Sequence, residues 1–119
     1  MRWPLLVVPF AALAATATAA PAPAPGRYDA QLCVATQPAA APSCGAALVE
    51  LRGGGRIEVR VADIVYRLAL RSSQLDATTL HGRMQIDAFS AAYAWQGKVL
   101  RFSDADKHVR YEVRLTRRR

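Results

Sequence analysis

Lysine, histidine and cysteine each occur only twice among the 119 residues. Metal sites need three or four converging ligands, and the residues supplying them here are too few and too scattered to read as one: His81, His108, Cys33 and Cys44 stand far apart in the chain. Asp104-Ala105-Asp106 is not followed by the glycine and bidentate glutamate of a calcium loop and reads as a turn. A nucleophile elbow of the form Gly-x-Ser-x-Gly is missing, and Gly53-Gly54-Gly55 lacks the Gly-Lys-Ser/Thr ending of a phosphate loop. The serines at 72, 73, 90 and 103 have no histidine beside them in sequence. These gaps argue against an enzyme and supply no reason to expect a metal or a cofactor.

Long apolar runs are equally scarce. The longest, residues 3–20, contains Pro4, Pro9, Thr16 and Thr18 and falls short of the roughly 20 strongly apolar residues of a membrane span. Met1-Arg2, the apolar stretch Leu5 to Ala15 and the small-x-small triplet Ala17-Thr18-Ala19 instead have the form of an export signal cleaved before Ala20. The expected organisation is a signal peptide over 1–19, an Ala/Pro linker over 20–26, one β domain over 27–116 and a basic tail over 117–119. The expected location is the periplasm or the extracellular space, in solution after signal cleavage.

Both cysteines fall in the expected mature part. An even count in a small exported chain favours a Cys33–Cys44 disulfide, and the ten intervening residues are the wrong spacing for a redox-active pair. Closing this short loop is worth about 3 kcal/mol on the chain-entropy account. The loop holds Pro38-Ala39-Ala40-Ala41-Pro42, where proline prevents a continuing strand.

From Arg27 onward the dominant pattern is alternation with period two, the mark of strands with one dry and one wet face. His108 to Leu115 alternates without exception, and Arg56 to Val61 and Tyr66 to Arg71 do nearly as well. Weaker runs occur at Tyr28 to Val34, Ala47 to Leu51, Leu80 to Ile86, Tyr93 to Trp95 and Val99 to Phe102. The triple glycine, Gln96-Gly97 and Asp104 to Lys107 are tight connections, so successive strands are antiparallel neighbours. The fold class is therefore all-β: a meander of about eight short strands forming a curled sheet or a closed barrel. Ile86, Phe89 and Tyr93 stand at helical spacing, so a short helix within 85–95 is the competing reading to a strand bent near Ala88.

The expected inward set is Tyr28, Leu32, Val49, Leu51, Ile57, Val59, Val61, Tyr66, Leu68, Leu70, Leu80, Met84, Ile86, Trp95, Leu100, Phe102, Val109, Tyr111, Val113 and Leu115. A barrel of eight strands is just wide enough to be filled by its side chains or to hold one small ligand. Tyr66, Trp95 and Tyr111 are accordingly candidates for either core or cavity wall.

Charge is one-sided: 16 Lys+Arg, of which 14 are arginine, stand against 9 Asp+Glu. Outward arginines interspersed with Glu50, Glu58, Asp87 and Glu112 suit a solvated face with cross-strand ion pairs. The sharper reading is an anion-binding surface built from Arg110, Arg114, Arg117, Arg118 and Arg119. The function expected from the sequence is non-enzymatic binding at the cell envelope through this basic surface, with anionic lipid or an acidic envelope protein as the partner. Nucleic acid suits an exported protein poorly. The alternatives are a barrel carrying one apolar ligand and an envelope inhibitor of a host or self enzyme.

In architecture, an exported single-disulfide β-barrel resembles the small bacterial periplasmic lysozyme inhibitors, and Tyr93-Ala94-Trp95-Gln96-Gly97-Lys98 is similar to their late aromatic-glycine strand. The resemblance covers about ten residues around that stretch. The Ser-Gly loop that those inhibitors insert into an enzyme cleft is missing, and a positive charge disfavours docking on a basic enzyme, so no site is carried over.

Overall fold

The computed structural model describes residues 22–36 and 41–119. The expected signal segment, the start at Ala20 and residues 38–40 of the cysteine loop lie outside these. Eight antiparallel strands follow one another around a closed barrel: β1 Gly26–Thr36, β2 Ser43–Arg52, β3 Arg56–Val61, β4 Ile64–Leu70, β5 Gln74–His81, β6 Met84–Gln96, β7 Val99–Asp104 and β8 Val109–Arg118. Each strand pairs with its neighbours in sequence, and β1 closes the ring on β8. Cys33 and Cys44 face each other across β1 and β2 and form the disulfide.

Alternation produces this wall directly. In β8, Tyr111, Val113 and Leu115 are buried while Arg110 is exposed, and in β2 Ala47, Val49 and Leu51 point in. Val59, Leu75 and Leu100 have no exposed surface; burying a side chain of this size is worth about 1.5–3 kcal/mol. Tyr66, Phe89, Phe102 and Tyr111 share the interior as an aromatic cluster, with Tyr111 5.0 Å from Phe102 and 5.7 Å from Phe89 between ring centroids.

The expected facing fails in one region. Met84 and Ile86 are 69% and 53% exposed, and Leu80 is only half-buried, whereas Leu75, Ala77 and Thr79 are the buried residues of β5. Two local features explain this. Gly82 adopts φ +60° in the turn between β5 and β6, splitting the run from Leu80 to Ile86 into two strands. Pairing then steps from Leu80–Gln85 to Thr79–Asp87, so Ile86 is skipped as a bulge and the parity of β6 reverses beyond it. Residues 85–95 form strand throughout, not a helix.

A second register shift lies between β1 and β8, where Ala30 pairs with Leu115 but Asp29 pairs with Arg117. Past this bulge Arg118 stands opposite the inward Tyr28, and strand pairing continues to Arg118. Arg117 and Arg118 thus belong to the barrel wall. Two ends can now be distinguished. At the Gly54 end lie the connections 53–55, 71–73 and 97–98, together with residues 22–25; at the Gly82 end lie the connections 62–63, 82–83 and 105–108 and the cysteine loop.

Candidate functional site

Counting each charged residue with the end it lies nearer to along its own strand divides the barrel sharply. The Gly54 end holds Arg27, Arg52, Arg56, Arg71, Lys98, Arg101, Arg114, Arg117, Arg118 and Arg119 against Asp29, Glu50, Glu58 and Asp76: ten bases and four acids, +6. The Gly82 end holds Arg60, Arg83, Lys107 and Arg110 against Asp63, Asp87, Asp104, Asp106 and Glu112: four bases and five acids, −1. Arg67 sits at the midpoint of β4. The excess positive charge is therefore concentrated at one end rather than spread over the wall.

Within the Gly54 end, several bases are already engaged. Arg52 spans Glu50 at 3.3 Å and Glu58 at 3.0 Å, while Arg60 approaches Glu58 from the other side at 3.1 Å. This clamp is needed because Glu50 and Glu58 stand directly opposite each other across β2 and β3, and like charges so placed repel. Hydrogen bonding to Arg52 holds the Glu50 carboxyl below its usual range. Arg71 pairs with Asp76, whose carboxyl is lowered first by the Ser90 hydroxyl and then by Arg71. Glu112 lies between Arg101 at 3.0 Å and Arg114 at 2.8 Å, and its carboxyl is lowered chiefly by the Arg114 hydrogen bond.

Four bases remain. Among the described residues, Arg27, Arg56, Lys98 and Arg117 make neither an ion pair nor a side-chain hydrogen bond, and all four are exposed. Three of them sit on adjacent elements: the Lys98 carbonyl accepts from the Leu115 N–H at 3.0 Å, and Arg117 and Arg27 lie on the paired strands β8 and β1.

The five arginines singled out in the sequence therefore separate into different roles. Arg117 is free for a partner. Arg118 donates to the Pro25 carbonyl at 3.0 Å and lies over Gly26, where a Cβ would meet its Nε at 3.1 Å. Arg119 is held by Asp29 at 2.7 Å, and Arg114 by Glu112. Arg110 lies near the other end of β8, exposed and without an ion pair, at the rim of a groove of about 480 Å³ that also includes Arg101, Arg114 and Glu112. Sequence reasoning missed Arg27 and Lys98, which reach β8 through the β1–β8 pairing and the Leu115–Lys98 hydrogen bond, contacts that no local pattern reports.

Tyr66 and Tyr111 are core residues: their rings meet edge-on at 6.0 Å. Burial pushes the Tyr111 hydroxyl up to about 12, with Tyr66, Asp104 and Asp87 adding to the effect, and burial raises Tyr66 as well. Trp95 differs. It lines a cleft of about 240 Å³ at the Gly54 end with Pro23, Leu51, Ile57 and Leu70, and its buried indole N–H has no acceptor. His81 and His108 are exposed, and no group of three or more His, Cys, Asp or Glu among the described residues is placed to hold a metal ion. No helix among them is long and apolar enough to cross a membrane.

Neither the protein-family models, the curated proteins nor the solved structures include a match to this chain.

Proposed function

We propose that this is an exported, non-enzymatic binding protein of the cell envelope that docks its Gly54 end on an anionic partner surface. The observation that carries the reading is the +6 concentrated there, four of whose bases make neither an ion pair nor a side-chain hydrogen bond among the described residues. A field of this kind raises encounter rates with anions and contributes about 1 kcal/mol per basic residue near an anionic lipid surface. The disulfide fits an oxidising compartment. Charged side chains on the outer face, such as the ladder Arg27, Glu50, Glu58 and Arg67 across four strands, fit a barrel surrounded by water.

The test is co-sedimentation with vesicles of zwitterionic lipid, with and without an anionic lipid, across a salt series. Binding is expected only to the anionic vesicles, fading as the Debye length shortens toward about 3 Å at 1 M salt. Arg117→Glu and Lys98→Glu should each weaken it while Arg83→Glu at the other end leaves it unchanged. Absence of binding at low salt, or binding insensitive to salt, overturns the reading. The Trp95 cleft favours a second reading, a site for one small apolar ligand, which quenching of indole fluorescence by a brominated acyl chain would report.

A further inference from the structure

The Ala/Pro stretch, expected from the sequence to be a linker, is tied to the barrel at the Gly54 end. The Ala24 carbonyl accepts from the Tyr28 hydroxyl at 2.5 Å and the Pro25 carbonyl from Arg118 at 3.0 Å. Residues 22–25 thereby become one wall of the Trp95 cleft, whose apolar lining is Pro23, Pro25, Leu51, Ile57, Leu70 and the Trp95 ring. Gly53, Gly54 and Gly55 form another wall and bring no side chain into it. At about 240 Å³ the cleft lies just below the size of pockets that enclose a whole drug-sized molecule, so it suits a small acid or one end of a longer chain. Within it stands one unsatisfied donor. Trp95 is paired with the buried Leu100 on the inward face, and its buried indole N–H has no acceptor. The tyrosines at this end differ, since Tyr28 donates to the Ala24 carbonyl and Tyr93 to the Arg71 carbonyl. A buried donor left unpaired is costly, and an oxygen brought by a ligand removes that cost.

We infer that this cleft and the bases at its rim are one site for a single-chain anionic amphiphile. The acyl chain lies against Leu51, Ile57, Leu70 and the two prolines, one oxygen of the acidic head accepts from the Trp95 N–H, and the charge of the head faces the rim. Arg56 is set there between the cleft residues Gly55 and Ile57, and Lys98 lies in the turn that follows Trp95; both are exposed and make no ion pair among the described residues. Arg52 also lines the cleft but is committed to Glu50 and Glu58. The apolar lining selects a chain over an inorganic anion, and the free bases select an acidic head over a neutral or cationic one. The inference rests on the reading of this end as an anion-binding face and names the class of ligand that the face takes.

Trp3 and Trp95 are the two tryptophans of the chain, so Trp3→Phe leaves Trp95 as the sole indole and its fluorescence reports this site. Titration with monomeric octanoate is expected to saturate with a blue shift, whereas acetate gives no response and methyl octanoate binds at least about tenfold more weakly. By calorimetry, Trp95→Phe keeps an aromatic ring but removes the donor and should weaken octanoate about tenfold. Arg56→Glu and Lys98→Glu should each weaken it about fivefold with the melting temperature unchanged, and Arg83→Glu at the other end should have no effect. A shift of Trp95 emission by anionic vesicles as well assigns the chain to a bilayer lipid, and a shift with octanoate alone assigns it to a free acid. Vesicle binding without any response of Trp95 to octanoate or to vesicles overturns this inference and leaves anion docking standing. Equal affinity for octanoate and its methyl ester, or unchanged affinity in Trp95→Phe, overturns it too. Octanoate binding without vesicle binding supports this site and overturns docking on a lipid surface alone.

Discussion

Gly54 and Gly55 share the same backbone torsion, φ +76°, but not the same surroundings. A Cβ added at Gly54 meets nothing within 4 Å, whereas one at Gly55 lands 2.4 Å from the Leu70 carbonyl oxygen. Alanine at Gly54 therefore pays only for the left-handed conformation, about 1–2 kcal/mol, partly offset by about 0.4–1 kcal/mol from a stiffer unfolded chain. A net loss of about 1 kcal/mol follows, or roughly 4–8 °C in Tm for a domain of this size. Alanine at Gly55 carries the same strain and also drives β3 away from β4, since the obstacle is backbone and no rotamer change relieves it. Overpacking of this kind adds about 1–3 kcal/mol, so Gly55→Ala should lose about 2–4 kcal/mol in all. Urea unfolding of both variants with the disulfide intact measures the difference at a common m-value. Equal losses at the two positions would refute the close approach of the β2–β3 connection to Leu70.

Tyr111→Ala should destabilise by about 3–5 kcal/mol by emptying the aromatic cluster, and Arg110→Ala by less than about 1; comparable losses would mean that the facing of β8 is wrong. Because the Tyr111 hydroxyl is raised to about 12 in the folded barrel, the unfolded chain ionises first as pH rises past its ordinary value near 10. The stability linked to this phenol is thus fully present below about pH 10 and lost as pH climbs toward 12, and Tyr111→Phe should flatten the fall of Tm across that interval. Removing residues 117–119 should lower stability by about 1–2 kcal/mol, since it deletes the Arg118–Pro25 hydrogen bond and the Arg119–Asp29 pair. An unchanged Tm would place these residues outside the wall.

Strand identity was legible wherever alternation was unbroken, as in His108 to Leu115, because a period of two fixes both element and facing. It was not legible where a bulge inserts a residue. Nothing in Met84-Gln85-Ile86-Asp87 announces that Ile86 is skipped, and the single skipped residue changes the parity of β6 between Gln85, paired with Leu80, and Asp87, paired with the buried Thr79. Leu75-Asp76-Ala77-Thr78-Thr79 alternates too, but Thr79 is a hydroxyl in a buried position, and small or polar inward residues carry little hydropathy signal. The basic end was half legible for a different reason. Arg114 to Arg119 is contiguous in sequence, whereas Arg27 and Lys98 join it only through the pairing of β1 with β8 and the β6–β7 turn.

That last pairing also orders the assembly of the barrel in time. Seven of its ladders join strands adjacent in sequence and can form as successive hairpins, but the eighth joins β1 to β8 across almost the whole described chain. Hairpins form in microseconds, whereas contacts between distant residues must first overcome the entropy of closing a long loop. Ring closure is accordingly the slow event, and until it happens β1 and β8 each expose a row of unpaired amides that another unfinished chain could bind. The Cys33–Cys44 bond secures β1 on its β2 side only. The seam itself relies on apolar neighbours such as Leu32 opposite Val113, and a small substitution there would act on the rate of folding as much as on the finished barrel.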